Sequence, residues 1–132
     1  MSLTLNMDFQ FTTSIEKLWS AFTESEKLAK WIADNDFKPV VGHRFQFRHE
    51  PNEYWDGIVD SEVLAVEEPY RLSFTMATGD EKHTVVLTLE ELGNGKVHVH
   101  LEQTGFSQSY GLAGAKHGWE DWSSKLGNIL AA

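Results

Sequence analysis

Six histidines, scattered carboxylates and no cysteine are what this 132-residue chain offers for catalysis or metal binding. His98 and His100 stand two apart in an alternating stretch, so both point to one side, as a metal pair must. That side is the polar one and brings no third ligand, which makes the pair solvated surface on ligand count. His43 and His49 share a side with Phe45 and Phe47, at the two ends of their stretch. Either can offer a hydrogen bond at a cavity rim; a plain strand-end histidine is the simpler reading. His83 opens the Val85 stretch with the same ambiguity, and His117 reads as exposed. Gln103 is polar on an otherwise apolar strand face, where it serves a backbone group or a ligand. Glu53 and Asp56 flank Tyr54 and Trp55 in a setting that favours solvent. There is no nucleophile elbow, phosphate loop, metal signature or pair of carboxylates on a shared apolar face. Acid–base catalysis needs a titratable group inside a pocket, so the sequence leans away from an enzyme and calls for no cofactor.

Composition narrows the partners. The absence of cysteine excludes disulfides, thiol catalysis and thiolate metal sites. Twenty acidic residues against 11 basic ones give a net charge of −9, which disfavours nucleic acid and anionic membrane surfaces. No stretch has the length and apolarity of a membrane span, and the first residues lack a basic-then-apolar signal. The expectation is a cytoplasmic, single-domain protein over residues 1–132, a monomer or weak dimer without membrane insertion. Aromatic residues are 12% of the chain, five of them tryptophan: a well-filled core, or large rings lining a pocket.

The elements that must position these groups follow from periodicity. Leu3, Leu5, Met7, Phe9 and Phe11 alternate with polar residues as a half-buried strand. Thr13 with Glu16 makes a capping pattern for Ile15, Leu18, Trp19 and Phe22 at helical spacing. Thr23 or Ser25 then caps a second short helix bearing Leu28, Trp31 and Ile32. Asp34-Asn35-Asp36 reads as a loop, and Phe45 and Phe47 as one face of a strand. Tyr54 to Val66 reads as a long strand with a bulge near Ser61 to Ala65. Leu72, Phe74 and Met76 form the inner face of the next strand, with Ser73 and Thr75 outside. Val85 and Leu87 lie inside the strand after it, and Val99, Leu101 and Gln103 inside the last one. Leu92-Gly93-Asn94-Gly95-Lys96 between those two is the strongest hairpin signal.

From Ser107 onward the pattern is helical, with Trp119, Trp122, Leu126 and Ile129 on one stripe. The small residues Gly111, Ala113, Gly114, Ala115 and Gly118 would let the sheet or a ligand approach that helix closely. The whole is an α+β fold: one strand, two short helices, an antiparallel run of strands, and a long C-terminal helix covering the apolar face of the sheet.

That order resembles a known family. The residues that carry the resemblance are Ile15-Glu16-Lys17-Leu18-Trp19, Leu28-Ala29-Lys30-Trp31, Val41-Gly42-His43-Arg44-Phe45, Gly57-Ile58-Val59, Glu68-Pro69-Tyr70-Arg71-Leu72, Thr104-Gly105-Phe106 and Gly118-Trp119. Over roughly Met7 to Leu130 the chain is similar to the family named after the activator of heat-shock-protein-90 ATPase. That family lies within the START-like, birch-pollen-allergen-like (SRPBCC) superfamily. The resemblance implies a helix-grip fold, a curved antiparallel sheet wrapped round the C-terminal helix with an elongated apolar cavity between them. It also implies two kinds of partner: a small hydrophobic molecule such as a lipid, sterol, polyketide or flavonoid, or a chaperone. A few relatives in the superfamily catalyse cyclisation or dehydration.

The expected lining of that cavity is Phe45, Phe47, Trp55, Leu72, Phe74, Met76, Val85, Leu87, Val99, Leu101, Gln103, Phe106, Trp119, Trp122 and Leu126, with Trp31 and Phe37 near its mouth. The same residues serve equally as a filled core, since burying such a side chain contributes roughly 1.5–3 kcal/mol whatever covers it.

Overall fold

The structure, a computed structural model, describes residues 2–131. Strand β1 (Leu3–Thr12) turns Leu5, Met7 and Phe11 inward. Helix α1 (Ile15–Thr23) starts one residue later than the capping pattern indicates. Ser14, not Thr13, accepts the Lys17 amide, at 3.2 Å. Thr13 still belongs to the sheet side of the junction, its own amide donating to the Gly95 carbonyl at 2.8 Å. Helix α2 (Ser25–Trp31) follows after Glu24, whose extended backbone (φ −99°, ψ 121°) bends the pair into a V. Ser25 and Thr23 do not cap it: the Thr23 hydroxyl donates back to the Trp19 carbonyl, and that of Ser25 engages Asn35.

Asp34-Asn35, read as loop, is the two-residue strand β2 (Asp34–Asn35), paired with Arg48 and Phe47 of β3 (Arg44–Arg48). Buried Asn35 holds it there, donating to the Ser25 and Ala33 carbonyls at 3.1 and 3.0 Å. The remaining strands are β4 (Ile58–Glu67), β5 (Arg71–Thr78), β6 (Glu81–Gly93) and β7 (Lys96–Phe106), followed by α3 (Ser109–Ala131). All pairings are antiparallel, in the order β1-β7-β6-β5-β4-β3-β2. The curved sheet is thus a meander from β2 to β7, with β1 returning to the free edge of β7. The β6–β7 hairpin turns through Asn94 (φ 55°) and Gly95 (φ 72°), the pair of positive φ values that a two-residue primed turn requires.

Three further expectations shift. Strand β4 begins at Ile58, not Tyr54, because Gly57 adopts φ +82° and the chain before it forms a turn closed by Asn52 and Trp55. Its bulge does fall between Val63 and Ala65. Ser73 and Thr75 are buried even though they lie on the outer face. Ser73 donates to the Val85 carbonyl, and Thr75 accepts the Glu62 amide close to the bulge. On α3 the buried residue near the C-terminus is Leu130, at 8% exposure, while Ile129 is 37% exposed. At about 100° per residue, Leu130 lies about 20° from the direction of Trp119 and Ile129 about 80° away. The short step from Leu126 to Ile129 drifts off the helix's inner face.

Candidate ligand cavity

Beneath the V of α1 and α2 the interior is filled. Two voids of about 10 Å³ each remain, too small and too apolar to hold an ordered water. Trp31, Phe37, Phe47, Leu72, Phe74 and Leu87 border the first; Val99 and Leu126 border the second, with Trp31, Leu87 and Trp119. The aromatic rings interlock edge to face, Phe37 on Phe45 at 5.1 Å and Phe45 on Phe47 at 5.3 Å. Trp31 is deep inside, its indole donating to the Ala21 carbonyl at 3.0 Å. Val85, Leu101 and Phe106 are likewise fully buried.

Open space lies at the other end of α3. A cavity of about 270 Å³ separates the first half of that helix from β4 and β5. Gly114, Ala115 and Gly118 form its helical wall, and a Cβ added at Gly114 or Gly118 would meet nothing within 4 Å. Val59 and Met76 form the sheet wall, and Trp119, Trp122, Trp55 and His49 surround the remainder. Of the expected lining residues the cavity gathers Trp55, Met76, Gln103, Trp119 and Trp122, together with His49 and the small helix residues Gly114, Ala115 and Gly118. The open space is a short chamber at one end of the helix rather than an elongated tunnel along it. Trp55 reaches it from a turn, not an inward strand position, and is 36% exposed.

The walls are preformed. Trp119 and Trp122 meet at 4.9 Å and 83°, an edge-to-face corner. The His49 ring lies nearly parallel to Trp122 (6.1 Å, 14°) and tilts against Trp55 at 5.6 Å. His49 is held in place by its backbone. Its amide donates to the Gly57 carbonyl at 2.8 Å, and a Cβ on Gly57 would sit 2.3 Å from the His49 carbonyl oxygen. Only glycine lets the two segments cross so closely. Burial lowers the His49 pKa from its ordinary value, favouring the neutral imidazole.

The second polar feature is a chain of groups that starts in the wall at Trp119 and Gln103. Trp119 Nε1 donates to Gln103 Oε1 at 2.7 Å, and Gln103 Nε2 lies 2.9 Å from His83 Nδ1. His83 packs on Phe106, ring centroids 4.1 Å apart, with Nε2 3.5 Å from Glu81 Oε1. Glu81 accepts the Ser107 amide at 2.5 Å, which together with His83 holds its carboxyl below the ordinary value. The chain ties the cavity wall to the start of α3.

The other histidines lie elsewhere. His98 and His100 both hydrogen-bond Asp8 Oδ1 at 2.9 Å on the outer face of the sheet, and these contacts, His100 first, lower the Asp8 pKa. His43 Nε2 meets the Asp36 carbonyl at 2.9 Å, and His117 is exposed beside Asp121. Among the described residues no three His, Cys, Asp or Glu side chains converge as a metal site. No helix among them is long and apolar enough to cross a membrane. Val59 was absent from the sequence-derived lining; its pairing with Phe47 is the register information that would have placed it. His49 stood in the sequence as one ambiguous strand-end histidine, and nothing local distinguished it from His43.

A curved seven-stranded antiparallel sheet gripping a C-terminal helix, with two short helices after the first strand, defines a START-like helix-grip protein. Residues 12–131 match the family described as Activator of Hsp90 ATPase homolog 1-like protein, and the chain belongs to it. Protein MLL2253 from Mesorhizobium loti is 36% identical, superimposes with a TM-score of 0.89, and is matched over 98% of this chain and 97% of its own. BH1534 from Bacillus halodurans is 28% identical over 97% of this chain and 96% of its own, with a TM-score of 0.80. CalU16 from Micromonospora echinospora shares the fold at 20% identity and a TM-score of 0.82, over 96% of this chain and 75% of its own. DynU16, assigned to the dynemicin biosynthetic locus, does so at 20% identity and 0.84, over 98% of this chain and 47% of its own. No curated protein matches the chain.

Proposed function

We propose that this protein binds one small, flat hydrophobic molecule in the chamber between the first half of α3 and strands β4 and β5, as a non-catalytic carrier or sensor. The observation that supports this reading most directly is the chamber itself: about 270 Å³, bounded on the helix side by glycines that leave space beside them. A volume near the lower end for small-molecule sites suits a two- or three-ring compound better than a sterol or a long acyl chain. Tryptophan faces supply stacking area, and His49 and Gln103 supply the few polar groups that orient a ligand in such a pocket. That one structural relative comes from a biosynthetic locus agrees with small-molecule binding in general.

The test is titration of the protein with a library of two- and three-ring aromatics, followed by tryptophan fluorescence. Saturable one-to-one quenching is expected, with a rise in melting temperature at saturation. A broad library producing neither effect would sink the reading. The alternative, docking to the ninety-kilodalton heat-shock protein, rests on the family's description. It predicts stimulation of that chaperone's ATPase, and an unchanged rate rejects it. An acid–base enzyme on the same cavity would have to use His49, the titratable side chain on its wall. Loss of any observed turnover, without loss of binding, in His49→Gln would identify that case.

A further inference from the structure

We infer that the cavity selects ligands that present a neutral hydrogen-bond acceptor, an aryl carbonyl, to the side-chain amide of Gln103; this rests on the cavity reading above. The indole nitrogen of Trp119 can only donate. Its contact with Gln103 at 2.7 Å therefore fixes which end of that amide is oxygen. The nitrogen end faces His83 Nδ1 at 2.9 Å. An amide nitrogen donates and does not accept, so His83 Nδ1 is the acceptor and its ring proton sits on Nε2, towards Glu81.

This uses one of the two Gln103 N–H groups. Among the described residues the second has no hydrogen-bond partner. Gln103 is only 4% exposed, and it lines the cavity. Both ends of its amide are anchored, so it cannot flip to offer oxygen instead. The inference places this second N–H on the cavity side, where a hydrocarbon laid against the wall strands it and a carbonyl oxygen satisfies it. A carboxylate or phosphate is a poorer match, because among the described residues no Lys or Arg lines the cavity and the chain carries a net charge of −9. The corner made by Trp119 and Trp122, with His49 nearly parallel to the second ring, offers a ligand's aryl group faces to stack on.

The experiment compares 2-acetylnaphthalene with 2-ethylnaphthalene, which differ in the carbonyl oxygen, on the native chain and on Gln103→Glu. Glutamate keeps an oxygen for Trp119 and replaces the donor with an acceptor. Expected is about a tenfold loss of ketone affinity relative to the hydrocarbon in the variant. Equal changes for both ligands would overturn the inference while leaving the cavity reading standing. Binding of neither ligand to the native chain overturns the inference, and the library titration then decides the cavity reading. A readout independent of the variant's folding is the Gln103 side-chain amide of the native protein by ¹⁵N NMR. One of its two proton signals should move with the ketone and not with the hydrocarbon; identical responses to both would contradict the assignment.

Discussion

The two halves of α3 face the same sheet but leave very different amounts of space. In the C-terminal half Leu126 and Leu130 descend onto the core, and the void left beside Leu126 is about 10 Å³. In the N-terminal half Gly114, Ala115 and Gly118 leave a chamber of about 270 Å³. As a whole α3 packs chiefly on β1 and α2, whereas the chamber lies against β4 and β5. Beneath α3, emptiness is therefore set by side-chain volume at a few helix positions and by where the V of short helices lies. A filled half gives stability, and an open half gives a site that can be altered without disturbing the core.

The largest effect should come from the filled half. Leu126→Ala deletes a side chain that is 1% exposed and should cost about 2–5 kcal/mol, read by urea denaturation. A cost under about 1 kcal/mol would mean that the core collapses to fill the gap and is less tightly packed than described. Next is Gly57→Ala, at a φ of +82° and with a Cβ 2.3 Å from the His49 carbonyl oxygen. Backbone strain alone costs about 1–3 kcal/mol. Because the same crossing holds His49 and Trp55, ligand affinity should fall together with stability; a fall in one without the other separates the rim from the fold.

The open half should behave in the opposite way. Gly118→Leu puts its Cβ in open space at the cavity wall, so the fold should gain up to about 1 kcal/mol from helix propensity while the rest of the side chain plugs the chamber. A drop in melting temperature would show that the space is not free.

The smallest effect is a pH dependence. The lowered His49 pKa means that the unfolded chain takes up its proton at a higher pH than the folded one. Stability from this group is therefore complete above the ordinary imidazole value of 6.5 and declines as pH falls below it. The lowered Asp8 pKa acts with the same sign further down, its contribution complete above the ordinary carboxylate value of 3.8 and lost as pH falls below it. The ring shifts of His49, followed by NMR against pH, should have a midpoint below 6.5; a midpoint at or above that value would contradict the burial of its ring.

Alternation made most of this architecture legible in the sequence. Phe45 and Phe47, Leu72 and Phe74, and Val99 and Leu101 all face inward as their spacing indicates, and Asn94-Gly95 turns where those residues predict. What the sequence hid depends on register or on exact helical azimuth. Thr13 and Ser14 look interchangeable as caps until the Gly95 carbonyl claims Thr13. Ile129 and Leu130 are adjacent apolar residues, and only accumulated rotation from Trp119 decides between them. Trp55 follows strand-like neighbours, yet the left-handed Gly57 after it ends that reading. For the site, the helix glycines, Trp119, Trp122 and Gln103 stood out. The division between filled and open space did not, because a stripe of large rings has the same pattern whether or not it touches a ligand.

The most direct test of the central claim sets the native chain beside Gly118→Leu in a tryptophan-fluorescence titration with 2-acetylnaphthalene, each with its melting temperature. Expected are saturable quenching in the native chain, its loss in the variant, and a melting temperature for the variant equal to or above that of the native chain. Superimposable titrations of the two proteins would contradict it, since a plugged chamber cannot hold the ligand.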